Sequence, residues 1–311
     1  MVETKLNTYL EEIDRKKAGL EKLSDDIWEF AETAFSEHNS VKALADFLRA
    51  EGFSVTEHAY GVETAFTAEF GQGRPRIGIL GEFDALSGLS QKAGLAEKEA
   101  LIPGANGHGC GHNLLGAGSV AAALAVKKYL EDGRQGTVVY YGCPGEEGGS
   151  GKAFMARGGA FKDLDCALTW HPGVVNAVSK DSSLANFQVL YSFKGISAHA
   201  AGCPEMGRSA LDGLELMNVG TNFLREHMLD KARVHYAIID TGGYSPNVVQ
   251  SEAKAIYLIR APKVGEALEL YKRVDKIAQG AALMTETEVE KTLIKSCANL
   301  VSNRVLEQVL D

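Results

Sequence analysis

The residues with the greatest chemical capacity in this sequence fall in three tight clusters. The first, GANGHGCGHN at 104–113, sets His108, Cys110 and His112 among glycines. Alternate positions let Cys110 and His112 project to one side of an extended loop, and the glycines leave room for an ion. The second, PGEEGGSGK at 144–152, carries the adjacent carboxylates of Glu146 and Glu147, and the third, WHPG at 170–173, carries His171. Thiolate, imidazole and carboxylate together suit a borderline-soft divalent metal such as zinc, manganese or cobalt. Two neighbouring carboxylates repel each other unless a cation is near. One of such a pair can bind metal, and the other can carry a proton between water and a leaving amine. A pair of metal ions acidifies water and polarises a carbonyl, which is the chemistry of amide hydrolysis.

Strands must deliver these clusters. RIGILGEF (76–83) is apolar almost throughout, as a central strand buried on both faces should be. TVVYYGC (137–143) runs directly into the Glu146 cluster and CALTW (166–170) into the His171 cluster. Residues 112–131 read as a helix of small residues packed closely on a sheet, and GKAFMARGGAF as a short helix ended by glycine. Upstream, apolar residues at helical spacing predict a helix over 4–33, a second after Ser40 as cap and ending at Gly52, and extended segments at 53–60 and 64–70. Strands alternate with helices, so the first half is α/β, and α/β sheets place their sites at the C-terminal ends of strands.

The pattern changes near residue 185. Strand 186–195, helix 206–228, strands 233–240 and 253–261, helix 263–283 and strand 287–295 follow in the order of a split βαβ sandwich. The expected domains are 1–185, catalytic and metal-binding; 186–297, a ferredoxin-like α+β domain; and 298–311, the start of a return to the first.

Length and charge narrow the function classes. The chain has 311 residues, 32 basic and 41 acidic, a formal net charge of -9. No basic stripe suits a nucleic-acid backbone, so no nucleic-acid partner is expected. No run of apolar residues suits a membrane span, and the charged N-terminus lacks the apolar core of a signal peptide. The five widely spaced cysteines argue against a disulfide framework. These features together predict a cytoplasmic protein. His38, His58, His227 and His235 read as ordinary core or surface histidines. GGSGK is a poor phosphate loop, because Ala153 stands where a Ser or Thr is needed and two carboxylates lie beside it.

GHGCGHN, GEEGGSGK and WHPG, in this order and with 37 residues from Cys110 to Glu147 and 24 from Glu147 to His171, resemble the aminoacylase and carboxypeptidase-type metallopeptidases, family twenty of that class. The resemblance is to the amidohydrolase branch near the p-aminobenzoyl-glutamate hydrolase B subunits and β-alanyl dipeptidases. It implies a three-layer α/β metallopeptidase-type catalytic domain with an inserted ferredoxin-like lid and dimerisation domain. It also implies a metal-dependent amidohydrolase acting on N-acyl or N-aroyl amino acids or small dipeptides, with two divalent ions, manganese or zinc, and a homodimer through the lid.

Carried over by position, Cys110, His112, Glu147 and His171 would bind metal, and Glu146 would be the general base and acid. Asp84, in GEFDAL, would orient a ligand. Glu82 stands where more distant relatives have a metal-binding His and is not counted as a ligand. In the second domain, SAHAAGCPEMGRSALD resembles the lid signature. His199 there would stabilise the oxyanion across subunits, and Asn247 and Arg260 would hold the substrate carboxylate or carbonyl. Relatives return from the lid into the first domain with a further His ligand, whereas this chain stops at Asp311, so impaired activity is expected. The alternatives are a Cys–His hydrolase without metal, with Cys110 as nucleophile and His112 as base, and a remnant that only binds or dimerises.

Overall fold

Five strands build the sheet that positions the clusters. The computed structural model describes residues 2–311, with side chains from Asn7 onward, and forms two compact units, one ending at Asn176 and the other beginning at Ala177. In the first unit, α1 (Val2–Phe30) and α2 (His38–Ala50) precede β1 (Ser54–Glu57), β2 (Phe66–Gln72), β3 (Arg76–Glu82), α3 (His112–Glu131), β4 (Gly136–Cys143), α4 (Gly151–Arg157) and β5 (Cys166–Leu168). The sheet order is β1-β2-β4-β3-β5. β3 runs parallel to both β4 and β5, while β1 and β2 pair antiparallel. The C-terminal ends of three adjacent strands therefore share one edge of the sheet, the place where α/β folds bind ligands.

Period-two alternation along β4 explains why the sheet is covered on both sides. Val138 and Tyr140 join a core with Leu44 and Leu48 of α2, Ile27 of α1 and Val120 and Leu124 of α3. Val139, Tyr141 and Cys143 join a second core with Met155 of α4. Helices on both faces of one sheet make the three-layer α/β fold expected from the sequence. Small residues on α3 allow close approach: a Cβ on Gly116 would stand 2.8 Å from the Glu82 carbonyl.

One helix start differs from expectation. α2 begins at His38, and Ser40 lies inside its first turn rather than at the cap. The Glu32 carboxylate does the capping from outside, accepting from the backbone N–H groups of Asn39 (3.0 Å) and Ser40 (2.9 Å) and from the Ser40 hydroxyl (2.8 Å). A carboxylate there satisfies free N–H groups and complements the positive end of the helix.

The second unit contains β6 (Ala185–Lys194), α5 (Ala210–Leu224), β7 (Arg233–Asp240), β8 (Glu252–Ala261), α6 (Val264–Thr285), β9 (Glu288–Cys297) and α7 (Arg304–Leu310). Its sheet, in the order β7-β8-β6-β9, is antiparallel throughout, and with its two long helices it is the ferredoxin-like arrangement. Val189, Tyr191 and Phe193 of β6 and Tyr257 and Ile259 of β8 pack against Leu214 and Met217 of α5 and Val274 of α6. The expected helix over 206–228 is shorter, because the Ser209 hydroxyl accepts from the Asp212 N–H and fixes its start; single 3₁₀ turns flank it at Pro204–Met206 and Arg225–His227. The last segment is tied to 180–183: Lys180 pairs with Asp311 (2.6 Å), Ser182 Oγ donates to the Leu300 carbonyl (2.6 Å), and Leu300 N–H donates to Ser183 Oγ (3.1 Å). Among the described residues no helix is long and apolar enough to cross a membrane.

Candidate metal centre

β3 ends at Glu82 and α3 begins at His112, and the packing of this strand on this helix makes the centre. Gly111, at φ +76°, turns the chain between Cys110 and His112 into the helix; a Cβ there would also meet the Pro172 ring at 3.1 Å. His112 is fully buried. Its Nδ1 lies 3.0 Å from Asp84 Oδ1 and 3.2 Å from the Asp84 carbonyl. An Nδ1–H donated to Asp84 leaves Nε2 as the free lone pair. Burial on its own lowers the His112 pKa, but the Asp84 hydrogen bond and the charges of Asp84, Glu82 and Glu146 outweigh it and raise it. For Asp84 burial pushes upward, but the His112 contact and the Glu147 backbone N–H, 2.8 Å from Oδ2, keep its carboxyl low.

On one side of His112, Cys110 Sγ stands 3.3 Å from His171 Nε2. His171 Nδ1 is 2.9 Å from the Pro172 carbonyl, which fixes the proton on that nitrogen and turns Nε2 toward the thiol. Ligand atoms of Cys110, His112 and His171 all lie within 4.8 Å of one another. Donors bound to one zinc at about 2.3 Å (sulfur) and about 2.0 Å (nitrogen) stand roughly 3.1–3.6 Å apart, and the Cys110–His171 spacing falls in that range. Burial, and then the neighbouring Glu147 carboxylate, push the Cys110 thiol up to about 11. A cation in this place would remove that cost, because metal coordination deprotonates a thiol.

On the other side, Glu82, His112 and Glu146 form a second convergent group, again within 4.8 Å. Glu82 Oε2 is 3.1 Å from His112 Nε2, yet both atoms are buried and neither has a hydrogen-bond partner among the described residues. Buried polar atoms are almost always satisfied. Two lone-pair atoms facing one another at this distance are therefore what a divalent cation would satisfy, and the residues fit one. The other Glu82 oxygen takes the Lys152 ammonium. Burial raises the Glu146 carboxyl, and the charges of Glu82 and Glu147 raise it further.

Of the residues singled out from the sequence, Asp84, Cys110, His112, Glu146, Glu147 and His171 come together here. Glu147 lies outside both convergent groups, its carboxyl against Cys110. Sequence reasoning set Glu82 aside and missed Lys152 and Glu37. Glu37 is fully buried and accepts from Gly145 N–H (2.8 Å), which holds the turn that presents Glu146; a glutamate followed by a helix was its only signal. His108 Nε2 is 2.9 Å from the Ile27 carbonyl, so this histidine ties the glycine-rich loop to α1.

His199, Asn247 and Arg260 belong to the second unit and are exposed. His199 Nδ1 accepts from the N–H groups of Ala201 (3.2 Å) and Gly202 (3.0 Å), and the loop bearing it pairs with the loop bearing Asn247 through Ala200 N–H to the Asn247 carbonyl (2.9 Å). That loop pair joins β8 at its first residue, Glu252. Arg260 is near the other end of β8, opposite Asn186 and Arg233, roughly 26 Å along the strand. The second unit thus brings His199 and Asn247 together and sets Arg260 apart from them.

Over residues 78–301 the sequence matches the model of peptidase family M20/M25/M40. It is 56% identical over 289 residues to the B subunit of p-aminobenzoyl-glutamate hydrolase from Escherichia coli (strain K12), covering 93% of this chain and 60% of that protein. It is 32% identical over 311 residues to Xaa-Arg dipeptidase of Mus musculus, covering 95% and 68%. The chain thus spans about 60% of the length of the E. coli relative. In fold it is similar to the crystal structure of an aminobenzoyl-glutamate utilization protein from Klebsiella pneumoniae, with a TM-score of 0.75 at 20% identity over 97% of this chain and 81% of that one. The Bacillus subtilis YXEP protein, described as a dinuclear metal binding peptidase from the M20 family, gives a TM-score of 0.59 at 19% identity over 92% and 76%. With the family match running from the third strand of the first unit to just past the last strand of the second, this chain belongs to peptidase family M20/M25/M40.

Proposed function

We propose that this chain acts as a metal-dependent amidohydrolase cleaving the amide bond of N-acyl or N-aroyl amino acids or of small dipeptides. The observation that carries this reading is the convergence of Cys110, His112 and His171, with Glu146 in the group that shares His112. In this reading Cys110, His112, Glu147 and His171 hold two divalent ions, zinc or manganese. Such ions, when bound, polarise the scissile carbonyl and acidify water. Glu146 takes the proton from the attacking water and returns it to the leaving amine, a task that suits a carboxyl whose pKa burial and neighbouring charges raise. Asp84 fixes the His112 tautomer. From the second unit, His199 stabilises the oxyanion, and Asn247 and Arg260 hold the substrate carboxylate or carbonyl. A homodimer through the second unit and a cytoplasmic address complete the proposal; the second is supported by five cysteines that are all free.

The test is turnover of a panel of N-acyl amino acids and dipeptides, with p-aminobenzoyl-glutamate first because the E. coli relative is named for it, in manganese or zinc and again after chelation. Chelator-sensitive hydrolysis supports the reading; hydrolysis that survives complete metal removal overturns it. A metal-free Cys–His hydrolase is the reading favoured by the short Cys110–His171 contact. The imidazole at the thiol is His171 rather than the expected His112, and a thiol pushed up to about 11 is a poor nucleophile at neutral pH.

A further inference from the structure

We infer that Glu82 is a metal ligand: its Oε2 and His112 Nε2 form a second divalent-cation position beside the Cys110–His171 pair, with Lys152 anchoring the carboxylate. The inference rests on the two-metal reading above and adds a ligand to it.

The burial of the two residues, an unsatisfied atom on each and the spacing between those atoms point the same way. Glu82 is only 7% exposed, and its Oε2 is buried without a hydrogen-bond partner among the described residues. A lone carboxylate oxygen in that state is costly unless a cation completes it. His112 Nε2, on a residue with no exposed surface, is in the same state. The two atoms stand 3.1 Å apart without a hydrogen bond between them. Two donors on one divalent ion at about 2.0–2.2 Å and roughly a right to tetrahedral angle stand ~2.8–3.6 Å apart with their lone pairs meeting at an angle. The observed spacing suits two ligands of one ion.

The surroundings keep Glu82 in place. It is the last residue of β3, and α3 packs on that strand end closely enough that Gly116 has no room for a Cβ beside the Glu82 carbonyl. Lys152, near the start of α4, takes Oε1, which leaves Oε2 turned toward His112. Glu146 faces the same point from the solvent side, where a base acting on water would stand. Glu82, Asp84 and Glu146 act on His112, Glu147 stands against Cys110, and Lys152 pairs with Glu82. Four carboxylates against one ammonium leave three negative charges in excess, which divalent cations would offset.

The experiment is equilibrium dialysis of the 311-residue chain against zinc, with bound metal counted per chain, for wild type, Glu82→Gln and Glu82→His. Cobalt substitution serves as a second readout, because the thiolate-to-cobalt absorption reports the Cys110 side alone. Wild type is expected to hold two ions and Glu82→Gln one, with the thiolate absorption retained, which also shows that the variant folds. Glu82→His should hold two, since a nitrogen donor restores the ligand while losing the Lys152 ion pair. Two ions of unchanged affinity in Glu82→Gln would overturn the inference and leave the two-metal reading standing. Loss of the second ion in both variants would also overturn it, because the ion pair rather than the ligand would then be what matters. Fewer than two ions in wild type would remove the two-metal reading and the inference together.

Discussion

His112 donates its Nδ1–H to Asp84 Oδ1 over 3.0 Å, and neither side chain has any exposed surface. Asp84 also accepts the Glu147 backbone N–H through its other oxygen, so one carboxylate fixes the tautomer of His112, the proposed ligand, and the position of the acidic loop. Asp84→Asn is expected to weaken zinc binding about 10–100-fold, the usual cost of losing an orienting partner. Competition with a chelating dye measures it; an affinity within a factor of two of wild type would show that His112 orients without Asp84.

Metal binding should depend on pH through His112. The Asp84 hydrogen bond and the carboxylates around it outweigh burial and raise its pKa above the ordinary value, so a cation binding at Nε2 competes with a proton there. Zinc affinity is expected to rise with pH through this raised value and then level off as far as His112 is concerned. The sign for stability is opposite. A raised folded-state pKa contributes stability that is fully present below the unfolded value and is lost as pH rises through the folded one. Denaturant midpoints of the metal-free chain should therefore fall as pH rises from the ordinary histidine value of about 6.5 through the raised one, and by less in Asp84→Asn. Equal slopes in the two chains would remove His112–Asp84 as the cause.

Cys110 offers a chemical probe. With its thiol pushed up to about 11 by burial and Glu147, the metal-free chain should alkylate slowly at neutral pH, at a rate still climbing above about pH 9. Glu147→Gln, by removing the nearest charge, should speed it. Zinc should protect Cys110 altogether. Mass spectrometry of the Cys110 peptide reads all three effects; a rate that plateaus near about pH 8.5 would show an ordinary thiol.

Glu146→Gln should lower turnover by about 10²–10⁴-fold, the usual contribution of a general base, while leaving metal content unchanged. Loss of an ion together with activity would instead make Glu146 a ligand of the group it shares with Glu82 and His112.

Gly116→Ala tests the strand–helix contact behind the site. Its Cβ would stand 2.8 Å from the Glu82 carbonyl, a backbone atom that cannot swing away. Overpacking of this kind costs about 1–3 kcal/mol. Because the strain falls between Glu82 and the helix that begins at His112, zinc affinity should fall along with the denaturation midpoint. A chain that loses stability and keeps full affinity would show that the contact supports the fold alone.

Much of the molecule was legible as pattern. The apolar run of RIGILGEF announced a central strand covered on both faces, small residues marked α3 from His112 to Glu131, and strand–helix–strand–strand–helix–strand order foretold the ferredoxin-like second unit. Cluster order marked five of the candidate residues of the first unit, and the family resemblance added Asp84. These features are local: period, composition and spacing follow from which face of an element must be buried. What the tertiary structure alone decided are pairings between residues far apart in the chain. Nothing in GEFDAL announces that Glu82 faces His112 while Lys152, 70 residues on, takes its other oxygen. The same holds for Cys110 meeting His171 rather than His112, for Glu37 bracing Gly145 across 108 residues, and for Glu32 capping α2. Arg260 lies far from His199 and Asn247 because β8 runs the length of its sheet between them. Each of these depends on strand order and on the depth at which a helix packs, and strand order is set by the burial of whole faces, which no short stretch of sequence encodes.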